Sequence, residues 1–420
     1  MKLFKTFSVY TIIGFLNAGI GFLLLPVLTH YLTPADYGII SLLNTYVLIL
    51  MPVAGLSTSS FISVEYYNRK IPPGEFKRLF SSIRLVPTLA ILPLALLFLL
   101  CSNWLPSLME LPKLAYWLLL PLTLFVLYQE NFRSFLIISK RTKLYGLTTL
   151  GKIFIEIPLT ILLVVYAGFH WDGRIYAWVV TVIFFSVLSF YLYKKWNLLS
   201  ADISKNYIRQ AIAFGTPLIL HEIGKFAINQ SDRLFLAKMV SVEEMGVYSV
   251  GYQVGMVILI VNTAFANFFS PFFFERMYRG TEKDKLEIVK VSYIFIISLF
   301  VLLALLTALT PYFFAHLVGP RFARGAAYVF WIGLGYCFWG IYLVFTNYIF
   351  FQKKNRILAA LAILNVVLNA VCNYFFIHWF GAIGAAYATC LSFFVVAVIV
   401  AFIAQRLYQM PWFSILNFRK

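Results

Sequence analysis

Asp232 and Arg233 lie side by side, and Glu222 and Lys225 lie one helical turn apart, within AIAFGTPLILHEIGKFAINQSDRLFLAKM at 211–239. The stretch is otherwise apolar enough to enter a bilayer. On the insertion scale each charge near a helix centre costs roughly 2.5 to 3.5 kcal/mol, whereas each Leu, Ile or Phe returns about 0.3 to 0.6. The polar face of such a helix must therefore look into a protein interior or a water-filled cavity, and charges held there are the residues with chemistry to perform.

Further charges interrupt other apolar runs: Arg84, Glu130 with Arg133, and Lys152 with Glu156. Spacings of three and four residues let Glu130 meet Arg133, Glu222 meet Lys225, and Lys152 meet Glu156 on one helix face. Self-neutralising ion pairs that serve packing are one reading of that spacing. Arg84 has no acid within a turn on its own helix, so it needs a neighbour such as Glu130 or an anionic ligand. As a set, Arg84, Arg133, Lys152, Lys225 and Arg233 stand against Glu130, Glu156, Glu222 and Asp232. The surplus of bases points to an anionic substrate held in one cavity, and the arginine fork matches phosphate oxygens. The acids, Glu222 and Asp232 first and Glu130 and Glu156 after them, are the candidates for coupling transport to an ion. Asn229, Asn365 and Asn369 complete the candidate cavity. With Asn373, the last two form a stripe at i,i+4 spacing that serves equally well for hydrogen bonds between helices. Neither an HExxH pair nor a phosphate-cradling glycine loop occurs. The four cysteines are scattered without a CxxC. No cofactor, metal site or catalytic constellation is expected, which argues against an enzyme.

The elements that must position these groups are helices. Of 420 residues 62% are hydrophobic and 12% charged, against about 25% charged in an ordinary soluble domain. Runs long enough to cross a bilayer fall at 7–29, 38–62, 79–101, 112–138, 145–167, 174–193, 210–236, 246–270, 288–310, 325–350, 357–378 and 382–405. An all-α integral membrane protein of about twelve spans follows, with the seventh and eighth open to kinking at Pro217 or Pro271. The net charge of +18 belongs to topology rather than nucleic acid. Lys and Arg gather in alternate loops, around Lys77, Lys140, Lys194, Arg276 and Lys353, which places those loops and both termini in the cytoplasm.

The chain also repeats itself. LTPADYGIIS (32–41) matches VSVEEMGVYS (240–249), and His170-Trp171-Asp172-Gly173 matches His378-Trp379-Phe380-Gly381; both pairs are 208 residues apart. Two six-helix lobes, 1–208 and 209–420, are expected as parallel repeats with the site between them. Thr33 with Asp36 and Ser241 with Glu244 have the spacing of helix N-caps, a structural role.

Three segments carry a family resemblance: GFLNAGIGFLLLPVLTHYLTPADYGIISL, FGTPLILHEIGKFAINQSDRLFLAKMVSVEEMGVYSVGYQVG and LNVVLNAVCNYFFIHWFGAIGAAYAT. Together they resemble the Wzx-type O-antigen and polysaccharide flippases of the multidrug/oligosaccharidyl-lipid/polysaccharide exporter superfamily. The resemblance implies an inner-membrane protein that moves an undecaprenyl-diphosphate-linked oligosaccharide to the periplasmic leaflet by alternating access, coupled to an ion as an antiporter. It also implies as partners the lipid-linked substrate, membrane lipids, and a polymerase and chain-length regulator of the same pathway. Two alternatives remain at this point. A drug exporter of the same superfamily would want an acidic cavity, and a membrane polymerase or ligase would want a large periplasmic loop.

Overall fold

Thr33 closes one helix and opens the next. Its hydroxyl accepts the Asp36 N–H at 3.1 Å while the Asp36 carboxylate accepts the Thr33 N–H at 3.0 Å, and Pro34 needs no N–H partner at the first helical position. The computed structural model describes residues 21–68 and 71–412; the side chains of Pro73, His221, Lys225, Ala227, Ile228 and Asn229 also fall outside the described residues. The helices are α1 (Gly21–Tyr31), α2 (Pro34–Gly55), α3 (Thr58–Tyr66), α4 (Pro73–Arg84), α5 (Val86–Leu100), the single turn α6 (Leu105–Leu108), α7 (Lys113–Ile138) and α8 (Thr142–Ile161). They continue with α9 (Trp171–Lys195), α10 (Lys205–Met239), α11 (Val242–Gly255), α12 (Val257–Arg279), α13 (Glu282–His316), α14 (Ala326–Phe351), α15 (Asn355–Phe380) and α16 (Ile383–Leu407).

Nine helical runs among the described residues are long and apolar enough to cross a bilayer. They include α4 with α5 and α11 with α12, each pair interrupted at a single residue. α7 and α10 lie outside those nine although their 26 and 35 residues reach about 39 and 52 Å at 1.5 Å per residue. Their embedded polar residues lower their hydropathy, and those residues are the ones singled out above. The described part of α1 is too short to span by itself, and residues 7–20 of the expected first span lie outside the described residues.

α10 runs on through Pro217 and α12 through Pro271. Membrane helices tolerate proline because neighbouring groups re-satisfy the freed carbonyls. The eighth run is interrupted at Met256, just beyond Gly251 and Gly255. These glycines pack so closely on α14 and the turn that leads into it that a Cβ on Gly251 would lie 2.3 Å from the Gly325 carbonyl oxygen. Several helices also begin earlier than their apolar runs. Thr281 caps α13 seven residues before the expected start at 288, its hydroxyl accepting the Asp284 N–H at 3.1 Å, because a capped helix extends into water beyond its apolar stretch.

Contacts divide the chain into two compact units, Met1–Phe226 and Ala227–Lys420. In the first, Phe80, Phe132, Phe135 and Tyr193 form an aromatic core joined by Ala211 at the start of α10. The linker 196–204 is fastened along α4. Ser81 Oγ accepts the Ser200 N–H at 2.7 Å, Ser82 Oγ accepts the Ser204 N–H at 2.8 Å, and Lys77 donates to Asn197 at 2.6 Å. In the second unit α14 is the central helix, packed by α11, α12, α13 and α16. Both units carry the same punctuation. The cap at Thr33 has its counterpart at Ser241, which accepts the Glu244 N–H at 3.1 Å. The turns after α7 and α14 each pass through a lysine at positive φ, Lys140 at 56° and Lys353 at 55°.

Candidate functional site

Within the first unit, Arg84 lines one cavity and Arg133 with Lys152 another. α4 carries Arg84 on its last turn, where its guanidinium carbon lies 5.4, 5.1 and 5.2 Å from the ring centres of Tyr128, Phe190 and Tyr193. Three aromatic faces from α7 and α9 thus meet one cation. Glu130, the expected partner, pairs instead with Arg133 at 2.7 Å, because the two are a turn apart on α7. Arg84 lines a cavity of about 520 Å³ with Ser81, Tyr128, Lys194 and Ser200.

Arg133 and Lys152 line a second, much smaller cavity with Gln129, Thr148 and Thr149. Tyr128 and Gln129 are neighbours on α7 and point to different sides of it, so that Arg84 and Arg133 line different cavities of the first unit. The second cavity measures about 10 Å³, room for about one water. No phosphate fits in this conformation. Arg133 also reaches the Tyr145 hydroxyl at 3.4 Å, while its Nε and the Thr149 hydroxyl are buried without a hydrogen bond among the described residues.

Glu156 sits one turn beyond Lys152 on α8, at 3.8 Å from its ammonium, so the expected pair forms loosely. Its closer partner is Arg174, at 2.6 Å. Glu156 is 3% exposed, and two bases therefore share one buried carboxylate. Arg174 was invisible to spacing, since it lies 18 residues away on α9 and reads as part of a polar loop; only the antiparallel packing of α8 and α9 brings it in.

In the second unit Asp232 and Arg233 are buried between α10, α11 and α14. Tyr248 donates to Asp232 Oδ2 at 2.5 Å, and Arg233 reaches Asp232 Oδ1 at 3.4 Å while stacking over the Tyr252 ring at 4.5 Å. Tyr252 and Tyr336 share a hydroxyl hydrogen bond at 2.6 Å, and Asn262 donates to the Tyr336 carbonyl at 2.7 Å. The tyrosines escaped the sequence because a lone Tyr on an apolar helix carries no sign of a buried carboxylate across the turn.

The asparagine stripe is buried, and part of it links helices. Asn369 accepts from Ser231 of α10 at 3.2 Å, donates to Ser392 of α16 at 3.2 Å and accepts from Asn373 at 2.9 Å. Asn365 is 1% exposed, and its Oδ1 has no hydrogen bond among the described residues. Glu222 is half-buried. The side chains of Lys225 and Asn229, both candidates above, lie outside the described residues. Among the described residues no group of three His, Cys, Asp or Glu is placed to hold a metal ion.

The sequence matches the family model described as polysaccharide biosynthesis protein over residues 3–277. The chain belongs to this family. It is 24% identical over 392 residues to a Haemophilus influenzae protein named Lsg locus putative protein 1, covering 88% of this chain and 90% of that one. To an uncharacterized membrane protein of the same organism it is 26% identical over 381 residues, covering 88% and 89%. Among solved structures it resembles the lipid II flippase MurJ in an inward closed conformation, with TM-score 0.70, 17% identity and coverage of 95% and 87%. It resembles an inward-facing multidrug resistance MATE family transporter of the MOP superfamily to the same TM-score, 0.70, with 14% identity and 96% coverage of both chains. The fold is that of MOP-superfamily transporters and flippases, and the protein is a multi-pass membrane protein of polysaccharide biosynthesis.

Proposed function

We propose that this chain is a flippase that moves a lipid-linked oligosaccharide, carried on undecaprenyl diphosphate, from the cytoplasmic to the periplasmic leaflet of a bacterial inner membrane. One observation carries the choice of substrate: α7, α8 and α9 hold Arg133, Lys152 and Arg174 against Glu130 and Glu156 within the bilayer-spanning helices. One positive charge is left over where charge is expensive. A diphosphate is the kind of ligand that balances it. Fold likeness by itself does not choose, since MurJ and the MATE transporter score alike. A cationic drug would need the opposite excess.

On this reading the chain works by alternating access, with lobes 1–208 and 209–420 and with basic loops and both termini cytoplasmic. Arg133, Lys152, Lys225 and Arg233 meet the diphosphate or acidic sugars as the small cavity opens, with Asn229, Asn365 and Asn369 toward the sugar. Asp232 and Glu222, ahead of Glu130 and Glu156, take up the coupling ion when substrate draws away the neighbouring base. A polymerase and a chain-length regulator would receive the product. Translocation of a fluorescent lipid-linked oligosaccharide in proteoliposomes, with and without an imposed pH gradient, tests the reading. Wild type should flip it, and Arg133→Gln and Lys152→Gln should slow it about tenfold or more, the scale of one lost charge-assisted contact. Wild-type rates in both variants, or transport of cationic dyes in place of the lipid, would reject it.

A further inference from the structure

We infer that the Arg84 cavity is a binding site for the phosphate of an anionic bilayer phospholipid, set at the surface of the first unit and separate from the transported substrate. Arg84 makes no hydrogen bond or ion pair among the described residues; its contacts are the three rings. Rings offer a π surface to its charge but no oxygen to its five N–H donors. The second cation on the cavity wall, Lys194, is exposed and likewise has no carboxylate in reach among the described residues. Two uncompensated bases with the Ser200 hydroxyl, and no acid on the wall, describe a receptor for a phosphate.

Depth agrees. Arg84 lies six residues beyond Arg78, which pairs with the exposed Asp202 at 3.0 Å, so it is about 9 Å further along the helix at 1.5 Å per residue. Lys194 is the penultimate residue of α9. Both therefore sit near the headgroup boundary on the side where basic loops gather, the level at which basic pockets between helices take lipid headgroups. Leu85 and Phe190, on the cavity rim, are 38% and 51% exposed. From Leu85 an exposed apolar row continues through Leu89, Leu92 and Leu96 of α5, a path for an acyl chain. The cavity, at about 520 Å³, suits a compact headgroup better than a multi-sugar one. Bound there, the phosphate would bridge α4, α9 and the linker that leads into α10.

Lipid retention by the purified full-length chain, followed by native mass spectrometry in detergent, tests this independently of transport. Wild type should retain phosphatidylglycerol at least about tenfold better than phosphatidylcholine. Arg84→Gln should remove about tenfold of that preference and Lys194→Gln about fivefold. Lys194 is exposed, so its variant keeps the test valid if Arg84→Gln fails to fold. Equal retention of both lipids, or wild-type preference in Lys194→Gln, overturns the proposal. So does displacement of the lipid by millimolar inorganic phosphate, which would make this a soluble-anion site. Displacement by equimolar undecaprenyl diphosphate would make it a substrate site and overturns it too.

Discussion

Replacing Glu156 with glutamine removes one negative charge from between two positive ones. The side chain is 3% exposed, with Arg174 at 2.6 Å and Lys152 at 3.8 Å. Their side chains are 15% and 20% exposed, so neither base can recover its hydration without moving. Removing one partner of a buried pair costs about 3 to 5 kcal/mol, mostly from the charge left behind. At about 1.4 kcal/mol per tenfold, even 3 kcal/mol shifts the folded population by about 150-fold. Reversible unfolding in mixed micelles, titrated with denaturing detergent, measures it. A matched control is Asp202→Asn, which breaks the exposed pair with Arg78 and should cost less than about 1 kcal/mol. The double variant Glu156→Gln/Arg174→Gln removes the orphaned charge along with its partner, so its loss should fall short of the sum of the singles by about 0.5 to 3 kcal/mol. A Glu156→Gln loss no larger than the Asp202→Asn loss, or strict additivity in the double variant, would refute the assignment of Glu156 as the shared counter-charge.

Two further outcomes follow from packing. Gly251→Ala should lower folded yield sharply, since the new Cβ meets the Gly325 carbonyl oxygen at 2.3 Å, whereas Gly224→Ala, with nothing within 4 Å, should be neutral or stabilise by up to about 1 kcal/mol; equal melting temperatures for the two variants would contradict the tight α11–α14 contact. Tyr248→Phe removes the hydroxyl that donates to Asp232 at 2.5 Å and should cost about 1 to 3 kcal/mol. Adding Asp232→Asn should then cost less than it does in the wild type, and a full additional loss would mean that the two side chains do not act together.

Class and pairings within one helix were legible in the sequence because each depends on local periodicity. Apolar runs of bilayer length give helices whatever their neighbours, and residues three or four apart share a face, so the Glu130–Arg133 pair, the Lys152–Glu156 pair and the caps at Thr33 and Ser241 could be written down directly. Partnerships between helices could not. Nothing in the order of residues says that Arg174 rather than Lys152 is the nearer partner of Glu156, or that Tyr248 reaches Asp232. Likewise, three rings from α7 and α9 surround Arg84 in place of Glu130. These depend on the rotation of each helix about its axis, which is set by close contacts such as Gly251 on Gly325. A charge in an apolar run announces that it needs a partner because leaving it bare in the membrane is too costly. Which partner it finds is decided only when the helices pack.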